Sequence, residues 1–366
     1  MYTKLFFAIL LSLSITTGIA QTIAVPFDSL RWQLEGQHYE LTTYQNQDAL
    51  LLRDASATLK DVLLQDGILE WDMAFAEQRG FSGINFRIQD DRNAEVFYLR
   101  PHQSGKPDAN QYTPLDNGLT AWQLYTGEGY AATLPYVFDQ WFHIKMVIKG
   151  RQATIFLNGA TTPSLNIPWL HHAATEGALQ LYASRLPAYF ANFSYQVLSP
   201  EKTTTTSPTN SPPSDPSLIK SWEVSSPFAE NDLNSITDLE KFDTQDLQWT
   251  TLAADPSGTT NLATISAFQR DSANTVFAKL TINTSQPQIK GLQFGFSDRA
   301  RIFFNGKLLF AGNDSYRTRD FRYLGTIGYH DTVYLPLKKG HNEVWIAVSE
   351  SFGGWGVQGR WLSPLE

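Results

Sequence analysis

Two carboxylates set two residues apart are the first groups here that could do chemistry. Glu70 and Asp72 sit in Gly67-Ile68-Leu69-Glu70-Trp71-Asp72-Met73-Ala74-Phe75, alternating with Leu69, Trp71, Met73 and Phe75. On a strand the two acids share one face, roughly 6.5–7 Å apart. Cleaving a glycosidic bond with retention needs carboxyls about 5–5.5 Å apart. The pair is expected to be a solvated face, and no catalytic residue is assigned.

A second set lies on the hairpin from Gly83 to Arg100. A turn centred on Asp91-Arg92 pairs Asn85 with Tyr98, Arg87 with Val96 and Gly83 with Arg100. Ile84, Phe86 and Ile88 then share the core face with Phe97 and Leu99. Asn85, Arg87, Tyr98 and Arg100 share the other face, and His102 follows directly. A long polar stretch to Tyr112 comes next, then Ala121-Trp122-Gln123-Leu124-Tyr125, read as extended, with Trp122 and Leu124 to one side and Gln123 and Tyr125 to the other. Long loops over a rigid sheet commonly carry function. Asn85, Arg87, Tyr98, Arg100, His102, Tyr112, Trp122 and Tyr125 are the candidate glycan-binding residues. The competing reading is Arg–Tyr stacking on a solvated sheet, with the large aromatics in the core. The same residue types suit a lyase, because Arg grips a uronate carboxylate while Tyr and His move protons.

A further candidate ligand loop is Glu350-Ser351-Phe352-Gly353-Gly354-Trp355-Gly356, with Arg299 and Arg301 beside it. Its competing reading is a closing loop whose Trp355 caps a core. His171 and His172 are adjacent, so on a strand their rings diverge and share no metal. A structural Ca²⁺ is an expectation, with Asp90 or Asp91 as ligands; no other cofactor is expected. Nucleophile-elbow, zincin, phosphate-loop and EF-hand motifs are all missing.

The composition narrows the classes further. There is no cysteine, which excludes disulfides and thiolate chemistry. The net charge of −8 argues against a nucleic-acid partner, because no basic tract exists to release counterions. Aromatics are 13% of the 366 residues, as strand-rich proteins favour. Residues 1–20 read as a signal peptide: Lys4, an apolar run from Leu5 to Ile15, then Gly18-Ile19-Ala20. The expected location is secreted or periplasmic in a bacterium, with no lipid anchor and no membrane span.

Period-2 runs recur throughout. Phe142, Ile144, Met146 and Ile148 alternate with His143, Lys145 and Lys149, and Leu292, Phe294 and Phe296 alternate further on. Asn158-Gly159 and Asn305-Gly306 read as hairpin turns. Residues 199–217 are a Pro/Thr/Ser-rich linker, expected to be mobile. The expected fold is all-β: two β-sandwich (jelly-roll) domains at 21–198 and 218–366.

Residues 67–197 resemble the concanavalin A-like lectin/glucanase superfamily, laminin G-like domains included. Gly83 to Asp90, Asp91-Arg92-Asn93, Glu95 to Arg100, Trp141 to Lys145 and Phe156 to Gly159 carry the resemblance. It implies a ligand site on the concave sheet. Laminarinase-type members place a third acid after the equivalents of Glu70 and Asp72, and this chain lacks it. Residues from about 277 onward are similar to galactose-binding-like jelly rolls, through Phe296 to Gly306 and Leu335 to Val344. Together these imply a secreted two-module, lectin-like protein that is non-catalytic and binds a poly- or oligosaccharide. The alternatives are a glycoside hydrolase or polysaccharide lyase working on the concave face, and an adhesion module for protein partners. The oligomeric state is left open.

Overall fold

The computed structural model describes residues 21–199 and 215–362. The expected leader, and residues 200–214 of the expected 199–217 linker, lie outside the described residues. Every described element is a strand or a short 3₁₀ turn. No described helix is long and apolar enough to cross a membrane.

The first half is one antiparallel ladder curled around a single core. Its path runs Leu165–Ile167, Gln152–Leu157, Phe142–Lys149, Gly67–Phe75, Ala178–Val197, Phe81–Asp90, Asn93–Leu99, Asn110–Asp116. The 20-residue strand Ala178–Val197 belongs to both wings. Its first part pairs with Phe81–Asp90 and its second part with Gly67–Phe75, while Gln47–Leu59 pairs along both. An irregularity between Ala183 and Pro187 separates the parts. Alternation then sorts the side chains. Leu69, Trp71, Met73 and Phe75 are buried with Ile144, Met146 and Ile148 from one wing, against Phe86, Phe97 and Tyr112 from the other.

The second half stacks a six-stranded sheet on a four-stranded one. Trp222, Phe294, Ile302, Val344 and Trp355 share its main core. Asn305-Gly306 makes the expected two-residue hairpin, both residues having positive φ. Asn158-Gly159 instead opens a longer loop to Leu165–Ile167, and Asn158 Oδ1 accepts from His143 N.

The two halves are joined, which corrects the expectation of a mobile pairing. Residues 121–125 form a turn, not an extended run. Gln123, fully buried, donates its backbone N–H to Gly353 O (2.9 Å) and accepts from Ile327 N (3.0 Å). Its amide donates to Leu324 O (2.7 Å) and accepts from Ser297 Oγ (3.2 Å). A Cβ on Gly353 would lie 2.3 Å from Gln123 Oε1, so glycine is what lets this loop approach. The longer arginine side chain would overfill this close-packed contact with Gly353. Gln123→Arg is expected to separate the halves, raising the radius of gyration in small-angle scattering while far-UV circular dichroism is kept. An unchanged radius contradicts the seam.

Glu350 gives the second half a pH dependence. It is fully buried, its Oε1 accepts from Gly354 N, and Oε2 has no partner. Burial, reinforced by neighbouring Asp298, pushes its carboxyl up to about 8. The folded state therefore prefers neutral Glu350, and its stability falls as pH rises from the ordinary glutamate range toward 8. Glu350→Gln should melt close to the unmodified chain at pH 5 and above it at pH 8.5 in thermal scans. Parallel pH profiles would contradict this.

Candidate functional site

The strongest constellation lies on the outward face of the first wing. Strand Phe142–Lys149 pairs with Gly67–Phe75 so that His143 stands opposite Asp72 and Lys145 opposite Glu70. Alternation drives Ile144 and Met146 inward and leaves His143 and Lys145 outward beside the acids. His143 Nδ1 is 2.7 Å from Asp72 Oδ1, and Nε2 is 3.1 Å from Glu70 Oε2. Lys145 Nζ is 3.3 Å from Glu70 Oε1. Asn192 and Gln47 donate to Asp72 Oδ2 at 2.7 and 3.4 Å. Asn192 reaches it because a bulge between Ala191 and Ser194 gives that residue a φ of 51°.

Three half-exposed aromatics border this cluster. Tyr44 stacks on Tyr189 (3.9 Å, 13°) and meets Trp141 edge-on at 5.6 Å. Tyr189 lies opposite Ala74, on the face that carries Asp72. A groove of about 880 Å³, lined by Thr42, Asp48, Asn192 and Ser194 among others, opens beside Asn192. Asp72 fixes one imidazole nitrogen, as the orienting acid does in a hydrolase triad. Nε2 and Glu70 Oε2 lie within hydrogen-bond distance, so the cluster joins two groups of the types used in proton transfer. Asp72 and Glu70 keep only 19% and 32% of their side-chain exposure, so the expected solvated face is an engaged one.

The hairpin candidates are placed differently from the expectation. The turn is where expected, with Asp90 opposite Asn93, but an irregularity between Phe86 and Asp90 shifts the register by two residues. Asn85 therefore faces Val96, Gly83 faces Tyr98, and Asn85 donates to Gln180. Arg87 leaves that face altogether. With φ of 49° it turns inward, fully buried, to Asp66 (3.1 Å), Gln65 O and Gly150 O. Tyr98, Arg100 and Trp122 do converge, and His102 joins them edge-on to Phe81, which also contacts Tyr98. Tyr98 and Arg100 are buried, however, and their polar ends are taken up by Gln111 and Asp108 (2.5–2.9 Å). Trp122 packs on Tyr316 and Phe352 of the second half. This cluster is part of the seam between the halves.

Tyr112 and Tyr125 lie apart from it in the core, where Tyr112 donates to buried Glu95 (2.5 Å). Trp355 is a core residue bonded to Val348 O, which corrects the displayed-loop expectation. Arg299 is held by Glu230, Ser315 and Ser351, and Arg301 by Leu233 O. Asp90, an expected Ca²⁺ ligand, caps its own turn through Arg92 N and Asn93. His171 and His172 sit on a bend and not on a strand, and both reach Asp116, which corrects the divergence expected of them. His143, Lys145, Gln47 and Asn192 were not singled out by the sequence. The available signal was alternation, which turned His143 and Lys145 outward without saying which strand they meet.

Comparison with known proteins gives one family match. Residues 31–195 match the 3-keto-alpha-glucoside-1,2-lyase-like domain, a span that contains all of the Glu70–Asp72–His143 cluster. Curated proteins offer no match. Among solved structures the chain is similar to the carbohydrate-binding module CBM66 from Bacillus subtilis (17% identity, 47% of this chain, 99% of that one, TM-score 0.34). It is also similar to a Bacillus licheniformis β-glucanase (11% identity, 50% and 100%, 0.34). A third is the alginate lyase vAL-1 from Chlorella virus (11% identity, 46% and 94%, 0.31).

Arg87 tests the structural assignment. Removing one partner of a buried ion pair costs about 3–5 kcal/mol, because the other charge stays buried alone. Arg87→Met is expected to lower first-half stability by about that much in urea titrations while leaving saccharide binding by the folded protein intact. Unaltered stability with lost binding would restore Arg87 to the ligand site.

Proposed function

We propose that this chain acts on a saccharide at the Glu70–Asp72–His143 face, as a lyase-type enzyme that eliminates across C1–C2 of a 3-keto-glucoside. The observation that carries it is His143 clamped between two carboxylates inside the segment that matches the 3-keto-glucoside lyase-like family. The chemistry suits such a pair. A carbonyl at C3 acidifies the C2 hydrogen. A base takes that proton, the C1–O bond breaks, a C1=C2 double bond forms, and an acid protonates the departing oxygen. The His143–Glu70 pair offers one base and one acid, oriented by Asp72, and such groups are worth roughly 10²–10⁴-fold each. Tyr44, Tyr189 and Trp141 offer ring faces for the sugar. The absent third acid, which pointed toward a non-catalytic binder, weighs less in this reading because His143 offers a proton-transfer group beside the two acids. In this reading the chain works outside the cytoplasm, where the leader would send it.

The aromatic border favours a second reading, a binding module that uses the same face without turnover. The two separate in one assay. Purified chain is incubated with a 3-keto-glucoside, and release of the leaving alcohol is followed beside binding. Turnover should fall at least about 100-fold in His143→Gln and Asp72→Asn with binding largely retained. Binding by the unmodified chain without any released alcohol would leave the module reading and overturn the enzyme.

A further inference from the structure

A second group of ligating side chains sits at the seam between the halves. Asp116 ends the Asn110–Asp116 strand, and His171 and His172 come from the bend before Ala178–Val197. One ligand atom from each lies within 4.8 Å of the others. His172 Nε2 is 2.9 Å from Asp116 Oδ1, and His171 Nε2 is 3.4 Å from Oδ2. Ligands at about 2.0–2.1 Å from a tetrahedral metal stand about 3.3 Å from one another. The two separations, each to a different oxygen of Asp116, lie near that length.

Metal-bound imidazoles direct their other nitrogen at an oxygen, and His171 does so here. His171 Nδ1 is 2.7 Å from the Tyr125 hydroxyl. His172 Nδ1 has no hydrogen-bond partner and faces Glu95 Oε1 at 3.6 Å. Glu95 is fully buried and accepts from the His172 backbone N–H (2.9 Å) and the Tyr112 hydroxyl (2.5 Å), which holds the bend that carries both rings. Asn261 of the second half donates to Asp116 Oδ2 (2.8 Å) and fixes the carboxylate. The donor set is two imidazoles and one carboxylate. It suits a first-row transition ion and not Ca²⁺, which takes about six to eight oxygens.

We infer that Asp116, His171 and His172 bind one first-row divalent transition ion of the Zn²⁺ type, with Tyr125 orienting the His171 imidazole. The site is separate from the saccharide face and does not rest on that reading. The test uses the full chain, free of any tag and dialysed against chelator. Zn²⁺ is titrated calorimetrically, and Co²⁺ is followed by its visible ligand-field absorption. One ion per chain is expected. His172→Gln and Asp116→Asn should weaken binding by about 100-fold or more, and Tyr125→Phe by about 10-fold. Thermal midpoints without metal identify any variant that fails to fold, and Tyr125→Phe keeps the core ring in place. Failure of the unmodified chain to bind either ion overturns the site, as does undiminished binding in both His171→Gln and His172→Gln.

Discussion

The strand Ala178–Val197 must serve two wings at once, and much of the first half follows from that. A strand of 20 residues cannot stay flat against both Phe81–Asp90 and Gly67–Phe75 while the wings close on one core. It therefore bulges twice, between Ala183 and Pro187 and between Ala191 and Ser194, and the bulges have consequences. Arg185, with φ of 63°, lies at the first. The second turns Asn192 outward to Asp72. Strain that local breaks would otherwise spread along the ladder is confined to a few residues. The neighbouring strands keep the regular pairing that sets His143 opposite Asp72.

Satisfaction of buried polar groups separates the two clusters that looked alike by residue type. Arg100 and Tyr98 are buried and bonded to each other, to Gln111 and to Asp108, so a sugar there would have to displace protein partners. The His143 cluster keeps part of its surface in water and borders a groove. Residue type nominates both; only burial and partners distinguish a load-sharing network from an accessible one.

Local alternation was legible in the sequence. The inward set Leu69, Trp71, Met73 and Phe75 and the outward Glu70 and Asp72 lie as their period requires. So does the Asn305-Gly306 hairpin. What failed was pairing at a distance and departures from ideal strands. Nothing in residues 67–75 indicates that residues 142–149 lie beside them, so the imidazole between the acids was invisible. Two extra residues in Phe81–Asp90 moved the hairpin register and sent Arg87 inward. The bend at His171-His172 let adjacent side chains converge where a strand would part them. In each case the deciding term is a backbone irregularity set by tertiary packing, which local propensity does not encode.

Under the proposed function, His143 and not the Arg100 cluster meets the sugar. The most direct measurement is the ¹⁵N spectrum of the histidine rings as a 3-keto-glucoside is titrated into labelled protein. The expected result is a saturable shift of the His143 ring nitrogens, led by Nε2, with the Arg100 guanidinium resonances unmoved. A saturable response at Arg100 with His143 silent would contradict it.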